Sequence, residues 1–404
     1  MKYNFDKYVD RRNTDSIKWE YIQSEETAAK LVKTDRFFGK DRLLPMWIAD
    51  MDFRSPQPVI DALVRRARHG VYGYTEKGDS YLEAVRFWMK KRHRWVIKKE
   101  WICTTPGVVA ALALLVQTFV RPGEKVIIQP PVYYPFSSVV ERNDVKVVKN
   151  PLIYADGRYR MDFKDLAVKA RDPKVKMLIL CSPHNPVGRV WTKKELTQLG
   201  EICLKNHVLV VSDEIHSDLI RRGKVFTPFA RINKDFAAHS ITCTAPSKTF
   251  NLAGLSTSNI IIPDPDLRRR FQKTLQKNAL LHVSVFGNVA LEAAYLHGEE
   301  WLEQLLDYLD ANLRFLEDYI REHIPQIHVI HPEGTTLAWL DCRSLGLDKH
   351  QLKRLMIDEA GLYLDEGYLF GEEGEGFERI NFACPRSILR DALGRMSKAI
   401  RRRN

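Results

Sequence analysis

The sequence predicts an α/β protein: a mostly parallel sheet covered by helices on both faces, followed by a second, smaller α+β domain. Three observations carry that prediction. Downstream of about residue 100, short β-rich runs alternate with helical stretches, the order that builds a parallel sheet. The runs are almost continuously apolar, as strands buried on both faces must be. Past about residue 290 the alternation stops, and a long amphipathic helix leads into strands and helices of different spacing.

The expected buried strands are KVIIQ (125–129), KVKMLILC (174–181), HVLVVS (207–212), SITCT (240–244) and NIII (259–262). Between the second and third, Thr192 opens TKKE, a capping box with Glu195. Leu196, Leu199, Ile202 and Cys203 then share one helix face. WLEQLLDYLDANLRFLEDYIREHI (301–324) is the long amphipathic helix. IHVI (327–330), TTLAWLDC (335–342), a helix near 349–359, FERINFAC (377–384) and a last helix follow, suiting helices on an antiparallel sheet. The first 50 residues lack βαβ texture; they complete the second domain or wrap the core. The expected division is a segment 1–50 joining the small domain, a large domain 51–290 and a C-terminal small domain 291–404.

The chain has 404 residues, of which 45% are apolar and 28% charged, a composition that argues against disorder. Its formal charge is +12, but RRARH (65–69), KKRHRW (90–95), LRRRF (267–271) and RRR (401–403) lie far apart. They read as solvated helix faces, and with no accompanying motif no nucleic-acid partner is expected. The six cysteines form no C-x-x-C pair and no His is spaced to complete a zinc site, which points to a reducing compartment and no metal. The opening MKYNFDKYVD lacks the apolar core of a signal peptide. VVAALALLV (108–116) is too short to span a membrane. The expectation is a cytoplasmic protein without a membrane partner.

In a parallel α/β sheet, function gathers beyond the carboxyl ends of the strands. Four such places carry unusual residues. After WICTT, PGVVAALALLVQTF opens directly into an apolar helix, whose first amides make an anion site; many helices begin after Pro-Gly for no such reason. In CSPHNPVGRVW (181–191), Asn185 either serves turn chemistry or aims its amide at a ligand oxygen. In VVSDEIHSDL (210–219), Asp213 follows a buried strand, where it caps the next helix or binds a ligand. In TCTAPSKTFNLAGL (242–255), Lys248 sits among small and apolar residues, either snorkelling or held for its amine. Together, a helix N-terminus for phosphate, an Asp for a ring nitrogen, an Asn for a phenolic oxygen and a Lys for an imine are the parts that hold pyridoxal 5′-phosphate (PLP). Tyr133 or Tyr134 in QPPVYYPF (129–136) is available to cover the ring.

This ordered set resembles the fold-type I PLP-dependent enzymes, the aspartate-aminotransferase superfamily. PMWIADMDF (45–53), VYGYT (71–75), PGVVAAL (106–112), PPVYYPF, SPHNPVGRVW, SDEIHSDL, APSKTFNLAGL and FERINFACPR (377–386) extend the likeness over nearly the whole chain. Within the superfamily they look like the MalY/PatB-type cystathionine β-lyases, or C–S lyases. The resemblance implies a mostly parallel seven-stranded sheet in the large domain, PLP as cofactor, and a homodimer with active sites at its interface. It implies that Lys248 carries the cofactor, Asp213 pairs with the pyridine nitrogen, Asn185 bonds the ring hydroxyl oxygen and Tyr133 stacks on the ring. The amides of Val108 and Val109, the Ser247 hydroxyl and Tyr74 from the neighbouring subunit would hold the phosphate. Arg379 would clamp the substrate carboxylate, aided by backbone near Ala49.

Two departures separate the chain from the aminotransferase pattern. His216 stands three after Asp213, where aminotransferases usually have Tyr, and SDEIH is the C–S lyase form. AGLSTSN (253–259) lacks the usual Arg after the lysine, and Ala245 replaces a common Ser. The phosphate would then lean on amides, Ser247 and Tyr74, or on a basic residue not identified by spacing. The implied reaction is a β-elimination in which Lys248, displaced by the substrate amine, removes the Cα proton. A thiolate then leaves, and pyruvate and ammonia follow; L-cystathionine would yield homocysteine. Tyr72, Tyr74 and Tyr133 are the candidates to protonate the thiolate. The alternatives are a class I/II aminotransferase, which would need an oxo acid, and a binding protein that retains the PLP site without turnover.

Overall fold

A computed structural model describes residues 1–23, 30–38 and 43–403. Its large sheet has seven strands, in the spatial order Ile102–Thr105, Ser258–Ile261, Ser240–Thr244, Leu209–Asp213, Val175–Cys181, Lys125–Ile128 and Lys146–Lys149. Ser258–Ile261 runs antiparallel to both its neighbours and the other pairings are parallel. The five apolar runs expected as strands are all in this sheet. Met177, Leu178, Ile179 and Leu180 are fully buried in succession, because both faces are covered.

Helix Lys193–Lys205 has the expected capping box: the Glu195 amide donates to Thr192 Oγ1 at 3.2 Å and the Thr192 amide to Glu195 Oε2 at 2.8 Å. Arg189, just ahead of it, bonds Glu195 and Glu333, tying this helix start to the C-terminal part of the chain.

The second sheet is antiparallel, in the order His328–Ile330, Leu337–Asp341, Phe377–Asn381 and Asp365–Glu366. The long helix Glu299–His323 covers it with a buried stripe through Leu302, Leu305, Leu309, Leu313, Leu316 and Ile320. Asn312 lies inside that stripe because its amide donates to the carbonyls of Phe382 and Cys384. The helix expected at 349–359 runs Lys349–Arg354 and then widens into a π-turn over Leu355–Glu359, with the Ala360 amide reaching back to Leu355. Leu355 and Met356 are both buried in this turn.

The N-terminal part reaches this region directly: Leu44–Pro45 pairs with Leu362–Tyr363. Lys18 is fully buried, with Nζ 2.7 Å from Asp52 Oδ2, and Trp19 and Arg11 bond the other oxygen. The hairpin Ile153–Ala155/Arg158–Arg160 was not anticipated, although its turn residues Asp156 and Gly157, both at positive φ, are a hairpin signal.

Candidate active site

The segments leaving the carboxyl ends of the large sheet's parallel strands meet strand Phe377–Asn381 and residues 48–49 around a cavity of about 240 Å³. Each wall has a local cause. Helix Val108–Phe119 starts at Gly107, whose φ of 119° is a conformation that side chains disfavour. The amides of a first helical turn have no intrahelical acceptor, and the helix dipole adds partial positive charge there. Val108, Val109 and Ala110 present that end to the cavity.

Asp213 ends the central strand Leu209–Asp213, in register with Cys181 on one side and Cys243 on the other. Burial pushes its carboxyl up to about 7, against the Ile215 amide at 3.1 Å and the Lys248 ammonium, which pull it down. It caps no helix; residues 215–218 form turns. His216 in that turn is buried, and its Nδ1 has no partner among the described residues. Burial, with Lys248 and Arg379 nearby, lowers its pKa to about 3, so the ring is neutral at neutral pH.

Lys248 lies on the short helix Pro246–Thr249, and its Nζ is 3.3 Å from the Ala49 carbonyl. Burial lowers its pKa, Asp50 and Asp213 oppose the shift and Arg379 adds to it. Two anchors hold the turn. Thr249 donates to the buried Asp218 at 2.7 Å, which also accepts from Trp88 and His93. Asn251, at φ 59°, bonds the Met51 amide and the carbonyls of Met51 and Phe53, fastening the segment next to Ala49 against the lysine turn.

Arg379 on strand Phe377–Asn381 donates to Asn185 Oδ1 at 3.0 Å, to the Trp47 carbonyl at 2.9 Å and to Asp365. With its oxygen engaged, Asn185 keeps Nδ2 as a donor. Asp365 is the cross-strand neighbour of Arg379 and fully buried; burial raises its carboxyl to about 6 while Arg379 pulls it down. The Tyr133 amide donates to the Asn185 carbonyl at 3.1 Å, and burial raises its hydroxyl to about 12.

Lys248, Asp213, Asn185, Tyr133, His216, Val108, Val109, Ser247, Ala49 and Arg379 thus share one cavity. Tyr74 does not: it is 97% exposed, its ring 5.4 Å from His282. Tyr72 is exposed as well and donates to the Ala67 carbonyl. Sequence reasoning missed Asp365, whose partnership exists only through strand register. It also missed Ser256 and Thr257, which line the cavity in the stretch where the arginine is absent. Among the described residues no cation other than Lys248 and Arg379 lines it.

These groups fit PLP. An amine is available for an imine and a carboxyl for the ring nitrogen. Asn185 Nδ2 and the orphaned, neutral His216 can serve polar ring atoms, and Tyr133 can cover the ring face. A helix N-terminus with the hydroxyls of Ser247, Ser256 and Thr257 suits a phosphate.

The model of the family described as aminotransferase class I and II matches residues 48–396. The chain belongs to that family. Among its members, cystathionine beta-lyase PatB of Bacillus subtilis (strain 168) is 44% identical over 98% of this chain and 100% of its own. Cystalysin from Treponema denticola, whose crystal structure contains pyridoxal 5′-phosphate, superposes with a TM-score of 0.93 at 39% identity, covering 100% of both chains. The PLP-bound C–S lyase from Staphylococcus hominis, complexed with the inhibitor L-cycloserine, gives a TM-score of 0.91 at 35% identity over 99% of this chain and 98% of that one. The aminotransferase-family fold expected from the sequence is therefore the fold found, with its seven-stranded large sheet.

Proposed function

We propose that this protein is a PLP-dependent carbon–sulfur β-lyase that cleaves L-cystathionine or related cysteine S-conjugates to a thiol, pyruvate and ammonia. The observation that carries the reading is the convergence of Lys248, Asp213 and Arg379 on one cavity, with His216 where aminotransferases have Tyr. The similarity to PatB and to the C–S lyase supports it.

Bound there, PLP supplies the electron sink that stabilises negative charge at the substrate Cα. The chain's own residues do the rest. Arg379 takes the substrate carboxylate through its planar fork, and the Ala49 backbone borders the same place. Asp213 holds a proton at the ring nitrogen, with Cys181 and Cys243 beside it in register. Lys248 Nζ removes the Cα proton; burial and the Arg379 charge favour its unprotonated form. Asn185, His216 and Tyr133 orient the ring, and the Val108 and Val109 amides with Ser247 hold the phosphate. Of Tyr72, Tyr74 and Tyr133, Tyr133 is the one whose side chain lines this cavity, and this reading takes it as the group that hands a proton to the departing thiolate.

The same reading takes the active protein as a cytoplasmic homodimer in which Tyr74 of one subunit serves its neighbour's phosphate, consistent with its exposure. It takes residues 51–290 as the cofactor-binding domain, with 291–404 and the segment 1–50 as the small domain. No helix among the described residues is long and apolar enough to cross a membrane.

The test is pyruvate release from cystathionine, cystine and S-alkyl cysteines, with and without an oxo acid. Turnover without oxo acid supports the lyase; stoichiometric glutamate or alanine formed only with an oxo acid would make it an aminotransferase. Lys248→Ala should lose both the cofactor's visible absorbance and pyruvate release.

A further inference from the structure

A second cavity, of about 400 Å³, opens beside the turn that carries His216: His216 lines the active-site cavity and Ser217 the second one. It lies between the end of helix Asp79–His93, the loop 220–226 and Leu306 of the long helix. Arg92, Arg94, Arg221, Arg222, Lys224 and Arg231 line it, and among the described residues no carboxylate does.

The bland explanation is that these cations serve ion pairs, and several do. Arg92 and Arg222 share Glu303, Arg222 also pairs with Asp307, Arg221 with Asp310 and Lys224 with Glu333. Those carboxylates are outside the lining. Glu333 is moreover divided among Lys224, Arg189 and Arg158.

Arg94 and Arg231 escape that explanation. Neither has an ion pair among the described residues, and both are exposed. Arg231 Nε donates to the Arg94 carbonyl at 2.9 Å, so the backbone of one is tied to the guanidinium of the other. The dipole of helix Asp79–His93 does not require them either, since its last turn already carries Lys90, Lys91, Arg92 and His93. Both residues line the same concave, cation-rich cleft, so an anion with several oxygens entering it would meet guanidinium groups that have no carboxylate partner among the described residues. Guanidinium forks match phosphate oxygens in pairs, which a lysine or a helix end does less specifically.

We propose that this cleft is a binding site for a compact phosphate-class oxyanion carrying two or more charges, gripped by Arg94 and Arg231. A cavity of this size admits a diphosphate group with room for a small substituent.

The experiment is calorimetric titration of the PLP-loaded protein with pyrophosphate at fixed ionic strength, so that the catalytic phosphate site is already filled. One saturable site per chain is expected. R94Q should weaken it about tenfold and R94Q/R231Q about a hundredfold, one ionic grip being lost at each step. K398Q/R402Q, on a different surface, should bind as the parent does. Because Arg94 is exposed, R94Q should keep the parent melting temperature. The proposal is overturned if binding does not saturate, if R94Q/R231Q binds unchanged, or if K398Q/R402Q weakens it equally, which would reduce the effect to net charge. Tighter binding of citrate than of pyrophosphate would overturn the phosphate assignment.

Discussion

Arg379 Nη1 donates to Asn185 Oδ1 at 3.0 Å, joining residues 194 positions apart at one wall of the cavity. The contact couples the two sheets: Asn185 comes from the loop after strand Val175–Cys181, and Arg379 from the middle of Phe377–Asn381. It turns the guanidinium that would meet the substrate carboxylate and leaves the asparagine amide free to donate.

Asn185→Ala should therefore act through Arg379 as well as through the lost amide. Arg379 Nε is already buried without a partner, and the variant leaves Nη1 short of one too. The guanidinium loses the contact that aims it at the substrate carboxylate, so KM should rise and kcat/KM fall by roughly fivefold to a hundredfold, the range of one interaction of about 1–3 kcal/mol. Steady-state pyruvate release measures it; an unchanged KM would mean the contact does not orient the guanidinium.

Asp365→Asn should destabilise the protein rather than merely slow it. The change leaves a buried guanidinium without its carboxylate, a loss of about 3–5 kcal/mol in comparable buried pairs. Urea denaturation of the purified variant reads the difference, and parent-like stability would show that Trp47 and Asn185 alone suffice for Arg379.

His184 supplies an acid-side pH dependence. Its Nε2 lies 2.9 Å from the Pro131 carbonyl, and burial lowers its pKa from 6.5 to about 4. Between those values the unfolded chain binds the proton and the folded one does not, so stability rises with pH. The contribution is complete above pH 6.5 and is lost as the pH falls toward 4. Going from pH 7 to pH 5, the parent should lose roughly 2 kcal/mol more than His184→Asn, measured by paired urea melts.

Gly188→Ala tests how the Asn185 loop is seated. Gly188 has φ 69°, and a Cβ there would lie 2.5 Å from Pro332 Cβ and 2.6 Å from Pro332 Cα. The amides of Glu333 and Gly334 both donate to the Gly188 carbonyl, so the loop cannot slide aside without breaking them. A destabilisation of about 1–3 kcal/mol or more is expected, with a loss of activity because Asn185 moves with the loop. Parent-like melting and turnover would refute this.

Much of the fold was legible because its signals are local. The apolar runs at 125–129, 174–181, 207–212, 240–244 and 259–262 announce strands through burial on both faces, and Thr192 with Glu195 announces a helix start through two bonds three residues apart. The candidate site residues were legible for the same reason, since Asp213 ends a strand and Asn185 and Lys248 follow strands, in an order the sequence states. Asp365 was not legible: nothing in YLDEGYLF singles it out, and only the register that sets it opposite Arg379 makes it a partner. Ser256 and Thr257 were hidden likewise, being ordinary hydroxyls until the chain brings them beside Ser247.

The sequence by itself thus determined which residue types stand at the strand ends, and with them the chemistry of amine, carboxyl, amide and guanidinium. Tertiary structure decided their protonation and orientation: the raised Asp213 carboxyl, the lowered Lys248 and His216, and the Arg379 fork held between Asn185 and Asp365. The physical reason is that hydrogen-bond periodicity and capping act over a few residues. Desolvation and charge–charge interactions depend on what surrounds a group in space, and here that surrounding comes from segments hundreds of residues away.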